Sequence, residues 1–384
     1  MKYEEIVHRC FRCGYCKLTG DYIGFNCPTY RKFRFETYSP GGRMWLIRAW
    51  LNDEIKNTER FQQILFSCAT CANCVEHCVF PFSEDLVNIF IAAREEMVNN
   101  AVIPPPVRDY LKNINISGNP YKEPADQRGD WAKDSSIEIY DGHEYLFYVG
   151  CVGSYDERAK KIARTVGNLL LRAGVSIGIL GEKENCDGNE VRALGEAGLF
   201  QFLAQQNIDL FKERGIKKII TLDPHAFNAF KNDYPGLGGK FEVYHYTQIL
   251  TSLIPSHELP LKEYRAKVTY HDPCYLGRHN GEYNAPRKIL ESIPGVELIE
   301  MPHHGENAFC CGGGGGNFFT DILGGGEDSP NRIRVREALD MGARILAVAC
   351  PLCARMLDDA VKAEEKEDQL EVLDVAEIVT RALS

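Results

Sequence analysis

The chain has 384 residues, 44% hydrophobic and 26% charged, with a formal net charge of −10. That length suits two or three soluble domains with sizeable cores, the acidic balance argues against a nucleic-acid binder, and no apolar run reaches the roughly 18 residues of a membrane span. The N-terminus, MKYEEIVHRC, lacks a signal-peptide core, so 15 cysteines in so large a chain point to metal rather than to a secreted disulfide scaffold.

Residues 1–100 carry two cysteine groups. Cys10, Cys13, Cys16 and Cys27 form C-x2-C-x2-C with a later Cys-Pro, and Cys68, Cys71, Cys74 and Cys78 form C-x2-C-x2-C-x3-C. This is the spacing of a two-cluster ferredoxin, in which a tight loop offers three thiolates to one cube and the other run supplies the fourth. One [4Fe–4S] cubane is therefore expected on Cys10, Cys13, Cys16 and Cys78, the other on Cys68, Cys71, Cys74 and Cys27. Zinc, which favours separated C-x2-C pairs, fits these triplets poorly. The domain reads as mainly helical. Between the runs, SPGGRMWLIRAWLNDEI predicts a helix entered through Ser39-Pro40-Gly41-Gly42, with Met44, Leu46, Ile47, Trp50 and Leu51 facing the cluster loops. Arg31, Lys32 and Arg34 beside Cys27 read first as a solvated basic face and second as a docking or charge-compensating patch.

Residues 101–140 hold Pro104, Pro105, Pro106, Pro120 and Pro124 among charged residues with little periodicity, which predicts a linker or a strap over the surface.

From 141 onward the sequence repeats. Gly215–Phe230 matches Gly342–Leu357 at an offset of 127 residues, Phe241–Ile254 matches Leu370–Leu383 at 129, and Cys151 and Cys186 correspond to Cys274 and Cys310. Short apolar runs such as Ile219–Leu222 and Ile345–Ala349 read as strands buried on both faces. Alternation with helices implies a small parallel α/β sheet per copy, spanning 141–260 and 261–384, with three strands each and cysteines at the carboxyl ends.

In the second copy, Cys274 lies in YHDPCYLGRHN, Cys310-Cys311 precede Gly312–Gly316, and Cys350 and Cys353 lie in ACPLC. The glycines, Gly312, Gly313 and Gly314 first among them, permit close backbone approach and offer unencumbered N–H groups to a cluster. The pattern C…CCG…CPxC, duplicated behind a two-cluster ferredoxin domain, resembles the D-type heterodisulfide reductases, or the B and C types fused, over nearly the whole chain. The resemblance implies that Cys274, Cys310, Cys311, Cys350 and Cys353 bind a non-cubane [4Fe–4S] cluster. In the first copy only Cys151 and Cys186 remain. Asp187 stands in the second position of the pair, and Asp223-Pro224-His225-Ala226 replaces C-P-x-C. A cluster-free pseudo-domain is expected there, with a metal site of Cys151, Cys186, Asp187, Asp223 and His225 as the weaker reading. Members of the resembled family split a disulfide between two facing non-cubane clusters, and one complete site cannot run that paired chemistry.

The expected function is an anaerobic, cytoplasmic electron-transfer oxidoreductase subunit that relays electrons between two cubanes and one non-cubane centre. No flavin or nicotinamide fingerprint is visible, so a flavoprotein or a membrane cytochrome is the expected partner, with membrane association only through that partner. The alternative is a reductase of a thiol-cofactor heterodisulfide. His271, His279, His303 and His304, which flank the cysteine loops, are candidates for proton delivery or for tuning the cluster through hydrogen bonds to sulfur, His303 and His304 first among them, and Arg278 for steering an anionic thiol or CoA-type substrate.

Overall fold

The computed structural model describes residues 1–133, 135–254 and 259–383. The first hundred residues are helical. Helix Pro40–Leu51 starts where the sequence predicts, with the Ser39 hydroxyl accepting the Gly42 N–H and Pro40 in the first turn. Its Met44 and Ile47 are fully buried against helices Glu59–Phe66 and Leu86–Asn99. Both C-x2-C-x2-C loops coil in the same way. Arg12 and Gly14 in the first loop, and Thr70 and Ala72 in the second, occupy equivalent positions and all have φ between 48° and 89°. Left-handed residues at these points wrap each loop tightly around the space its thiols surround.

Segment 101–140 contains more structure than its composition suggests. Pro104 caps helix Pro105–Ser117, which ends at Gly118 with φ 67°. Tyr110 and Ile114 bury that helix in the ferredoxin-side core, and Trp131 anchors the following stretch in the core of the sheets. Three consecutive prolines masked a helix because only the first turn tolerates them.

The remaining chain forms two parallel sheets. The first has strands β1 (Glu138–Ile139), β2 (Tyr145–Tyr148), β3 (Ile177–Ile179), β4 (Lys218–Thr221) and β5 (Glu242–His245), in the order β1-β3-β2-β4-β5. The second has β6 (Ala266–Tyr270), β7 (Val296–Leu298), β8 (Ile345–Val348) and β9 (Glu371–Asp374), in the order β7-β6-β8-β9. Without β1 the orders coincide, so the repeat is four strands long rather than the expected three. Every pairing is parallel.

The copies exchange helices. Helix Val375–Ala382, the last of copy 2, packs on Glu157–Arg172, the first long helix of copy 1, and Tyr246–Leu253, the last of copy 1, packs on Asn284–Glu291. This reciprocal packing merges both sheets into one apolar core. Arg158 fastens the seam, donating to both Glu377 carboxylate oxygens and, at 3.1 Å, to Asp358. Among the described residues no helix is long and apolar enough to cross a membrane.

Candidate metal centres

Two groups of thiols gather in the N-terminal domain. Cys16 is surrounded by Cys27, Cys78 and Cys10, and Cys78 by Cys13 and Cys10. Burial, then mutual repulsion, pushes the Cys16 thiol far above its ordinary range. Cys74 faces Cys68, Cys71, Cys16 and Cys27, and its thiol is raised for the same two reasons. Buried thiols that repel one another are the donor set that a cationic iron cluster relieves, so these residues fit the cubanes their spacing suggests. Cys13 is exposed and Cys10 and Cys78 are half-exposed, whereas Cys27, Cys71 and Cys74 are buried. The first group lies at the surface and the second inside.

The second group is wrapped in buried arginines. Arg94 has no accessible surface and donates to the carbonyls of Leu65 and Phe66 at the end of helix Glu59–Phe66, Cys68 in the cluster loop, Ala193 in copy 1 and Gly315 in copy 2. Burial lowers its pKa to about 10 and the neighbouring Cys68 works against that shift. Arg43 binds the carbonyls of Tyr38 and Ile64 beside Cys27. Sequence reading missed both, although Arg94 sits at helical spacing among Phe90, Ile91 and Met97, where an isolated cation signals a buried role.

In copy 2, strands β6, β7 and β8 deliver their cysteine loops to one end of the sheet. Cys274, Cys310, Cys311, Cys350 and Cys353 are all buried, with Cys311 Sγ 3.5 Å from Cys353 Sγ. Cys310 interacts with Cys274, Cys311 and, across the domain boundary, Cys71. The Cys310 thiol is raised well above its ordinary range, chiefly by Cys274 and Cys311 as partners. Gly312 N–H points at Cys310 Sγ (3.3 Å). The rest of the glycine run is a junction. A Cβ at Gly314 would lie 2.7 Å from the Ala69 carbonyl oxygen, and one at Gly316 would lie 2.7 Å from Leu194. Glycine is needed there so that three domains can meet.

The candidate catalytic groups each have their own partners. Arg278 is pinned, with Nε on the Cys71 carbonyl (2.7 Å) and Nη1 on that of Ala308 (2.7 Å), beside Cys71, Cys274 and Cys310. It stands between the second ferredoxin group and the C-terminal thiols. His303 pairs with Glu337 (2.7 Å) and His304 with the Met301 carbonyl (2.6 Å), outside the thiol groups. His271 and His225 are the histidines placed among the thiols: His271 with Cys311 and Cys353, His225 with Asp223 and Cys350. Of the basic stretch, Arg31 lies over the Phe309 ring and Lys32 donates to the carbonyls of Gly324 and Gly325, so it ties the ferredoxin domain to copy 2.

Copy 1 compensates its own charges. Arg128 lies 3.4 Å from both Cys151 Sγ and Glu184. Hydrogen bonding from Cys186, then Arg128, holds the Cys151 thiol below its usual range in spite of burial. His225 pairs with Glu190 at 2.6 Å. Tyr110, Phe319 and Leu352 close this end around a cavity of about 30 Å³, room for a single water.

Residues 6–80 match the model of the 4Fe-4S dicluster domain, and residues 145–231 and 268–358 that of the cysteine-rich domain. The chain is 39% identical to a probable iron–sulfur-binding oxidoreductase, FadF, of Bacillus subtilis and 37% identical to an EtfAB:quinone oxidoreductase of Syntrophomonas wolfei. Each match covers 84% of this chain and 47% of the relative, so the chain spans about half the length of these curated relatives. It is 31% identical to the D component of the dihydromethanophenazine:CoB–CoM heterodisulfide reductase of Methanosarcina barkeri, over 97% of this chain and 93% of that protein.

Proposed function

Because the chain belongs to the heterodisulfide reductase D-like iron–sulfur oxidoreductases, we propose that it is the electron-relay subunit of a larger redox complex. Cys10, Cys13, Cys16 and Cys78 would hold one cubane, Cys68, Cys71, Cys74 and Cys27 the second, and Cys274, Cys310, Cys311, Cys350 and Cys353 a single non-cubane [4Fe–4S] cluster. Bound there, such clusters supply one-electron transfer at potentials set by their surroundings.

The observation that carries this reading is the approach of Cys71 to Cys310, which brings the buried ferredoxin group against the C-terminal thiols. With Cys13 exposed and Cys16 beside Cys74, the groups adjoin one another in turn from the surface inward. Arg43, Arg94 and Arg278 place positive charge along this series, where it offsets anionic sulfur and favours the reduced state. The exposed end is where a redox partner would dock, and a flavoprotein is the partner class in keeping with the EtfAB:quinone oxidoreductase relative. Association with a membrane would then come through a partner, and the setting would be an anaerobe's cytoplasm.

The alternative, reduction of a thiol-cofactor heterodisulfide by this chain alone, is favoured by the match to the D component of heterodisulfide reductase along almost its full length. The loss of three of five thiols in copy 1 argues against it. Anaerobic purification with iron, sulfide and EPR analysis tests the relay. Three distinguishable centres that an electron-donating flavoprotein reduces are expected, and a colourless, zinc-loaded protein would sink both readings. Rapid turnover of a heterodisulfide by the purified chain with an artificial donor would favour the alternative.

A further inference from the structure

The seam between the copies joins two equivalent loops. Asp223-Pro224-His225 follows β4 and Cys350-Pro351-Leu352 follows β8, each at the first turn of a helix. Each loop reaches into the other copy. Leu352 lines the small cavity beside Cys151 and Cys186, whereas a ring nitrogen of His225, a carboxylate oxygen of Asp223 and Cys350 Sγ lie within 4.8 Å of one another.

The His225 ring is fixed on its edge and its face. Nδ1 meets Glu190 Oε1 at 2.6 Å, and the ring lies against Tyr275 with centroids 4.1 Å apart and planes tilted by 30°. Tyr275 is held in turn by His279, stacked at 4.2 Å, and by the Thr70 hydroxyl at 2.9 Å. Glu190 is itself fixed, since its other oxygen accepts the Gly316 N–H of copy 2.

The tautomers separate the two histidines near the thiols. An arginine can only donate, so Arg334 Nε at 3.2 Å from His271 Nδ1 makes that nitrogen the acceptor and leaves the proton on Nε2. His271 is thus a hydrogen-bond donor toward Cys311. For His225 the logic inverts. Nδ1 meets the Glu190 carboxylate at 2.6 Å and the Asn189 amide at 3.2 Å, and the shorter contact to the carboxylate places the proton on Nδ1; in the neutral ring the lone pair then falls on Nε2, the arrangement that orients metal-ligating histidines.

We propose that His225 Nε2 is an iron ligand of the C-terminal centre, supplied across the seam by the copy that has lost its own thiol set. The inference rests on reading the copy 2 thiols as iron ligands. It gives the degenerate copy a chemical task, because a neutral imidazole adds a donor to the cluster without adding the negative charge that a sixth thiolate would bring, and the balance of imidazole and thiolate ligands helps set a cluster's potential.

The test is nitrogen hyperfine spectroscopy on the anaerobically purified full chain labelled with 15N-histidine. The EPR signal of the C-terminal centre is expected to carry the coupling of a directly bound nitrogen, lost in His225→Gln and kept in His271→Gln. Redox titration of His225→Gln is expected to shift that centre's midpoint and leave both ferredoxin midpoints in place. A C-terminal signal with no directly bound histidine nitrogen, or a coupling that survives His225→Gln, overturns the proposal and leaves the relay standing. Should His225→Gln fail to assemble the centre, the wild-type spectrum alone decides. Two ferredoxin signals with no third centre in wild-type protein would overturn the proposal and the three-centre relay together.

Discussion

The two cysteine-rich copies run the same strand order and bring their loops to the same end of the sheet, yet one gathers five thiols and the other two. Where the second copy has Cys311, Cys350 and Cys353, the first has Asp187, Asp223 and Ala226. In the first copy a buried cation pairs with what remains of the set. Arg128 sits on Cys151 and Glu184. The contrast teaches that a buried ligand set can be dismantled only if each remaining charge acquires a partner, since an unpaired buried charge costs several kcal/mol.

The largest expected effect separates the copies at once. Cys311→Ser should abolish the EPR signal of the C-terminal centre, spare both cubane signals, and lower iron from about twelve to about eight atoms per chain if every centre holds four. Cys186→Ser, the matched change in copy 1, should leave iron and all three signals unchanged. Equal losses from both variants would mean that the copies are not chemically distinct.

Next in size is the replacement cation. Arg128→Met strands the Glu184 carboxylate, which otherwise binds only the Val149 and Gly150 N–H groups, and removes the partner of Cys151. Unfolding should become easier by about 3–5 kcal/mol. Arg128→Met/Glu184→Gln should recover part of that loss in a denaturant titration. Failure to recover any of it would show that Arg128 acts by packing, through its contact with Tyr155, rather than by charge.

A smaller difference lies at matched helix caps. His245 and Asp374 end β5 and β9, and each closes a capping box on the following helix. Burial depresses the His245 pKa to about 3, and burial raises that of Asp374 to about 7. Unfolded His245 binds a proton that the folded ring refuses, so its contribution holds above pH 6.5 and is lost as pH falls toward about 3. Folded Asp374 keeps a proton that the unfolded chain releases, so its contribution holds below pH 3.8 and is lost as pH rises through about 7. His245→Gln should flatten the acid side of the stability profile and Asp374→Asn the neutral side, each by at most about 1.4 kcal/mol per pH unit. Identical profiles for wild type and variants would show that neither cap is held neutral.

The cysteine spacing made the ferredoxin groups, the duplication and the end of each sheet that bears the thiols legible in the sequence, because ligand geometry demands fixed spacing and parallel strands concentrate loops at one end. The arginines were not legible in the same way, and His225 was legible only as a candidate ligand within its own copy. Arg94 acts through carbonyls drawn from three domains, and His225 lies beside Cys350, 125 positions away. Neither relation leaves a local pattern. His303 and His304 lie next to the cysteine pair in sequence, but the loop turns them to Glu337 and to the Met301 carbonyl. Proximity along a chain is a weak guide to proximity in a loop-built site.

The smallest expected effect is a null, and it tests whether ligand count alone distinguishes the copies. Asp187→Cys restores the missing half of the cysteine pair, yet it should add no iron and no EPR signal. Two positions, Asp223 and Ala226, still lack sulfur, and Arg128 already satisfies Cys151. Tyr110, Phe319 and Leu352 also fill the space around the pocket. The variant should instead be slightly more stable near neutral pH, because burial, then Asp223, raises the Asp187 pKa to about 6 and a thiol avoids burying that charge. Extra iron in Asp187→Cys would show that one thiol was the whole deficit, and that the first copy stands a single substitution away from a second centre.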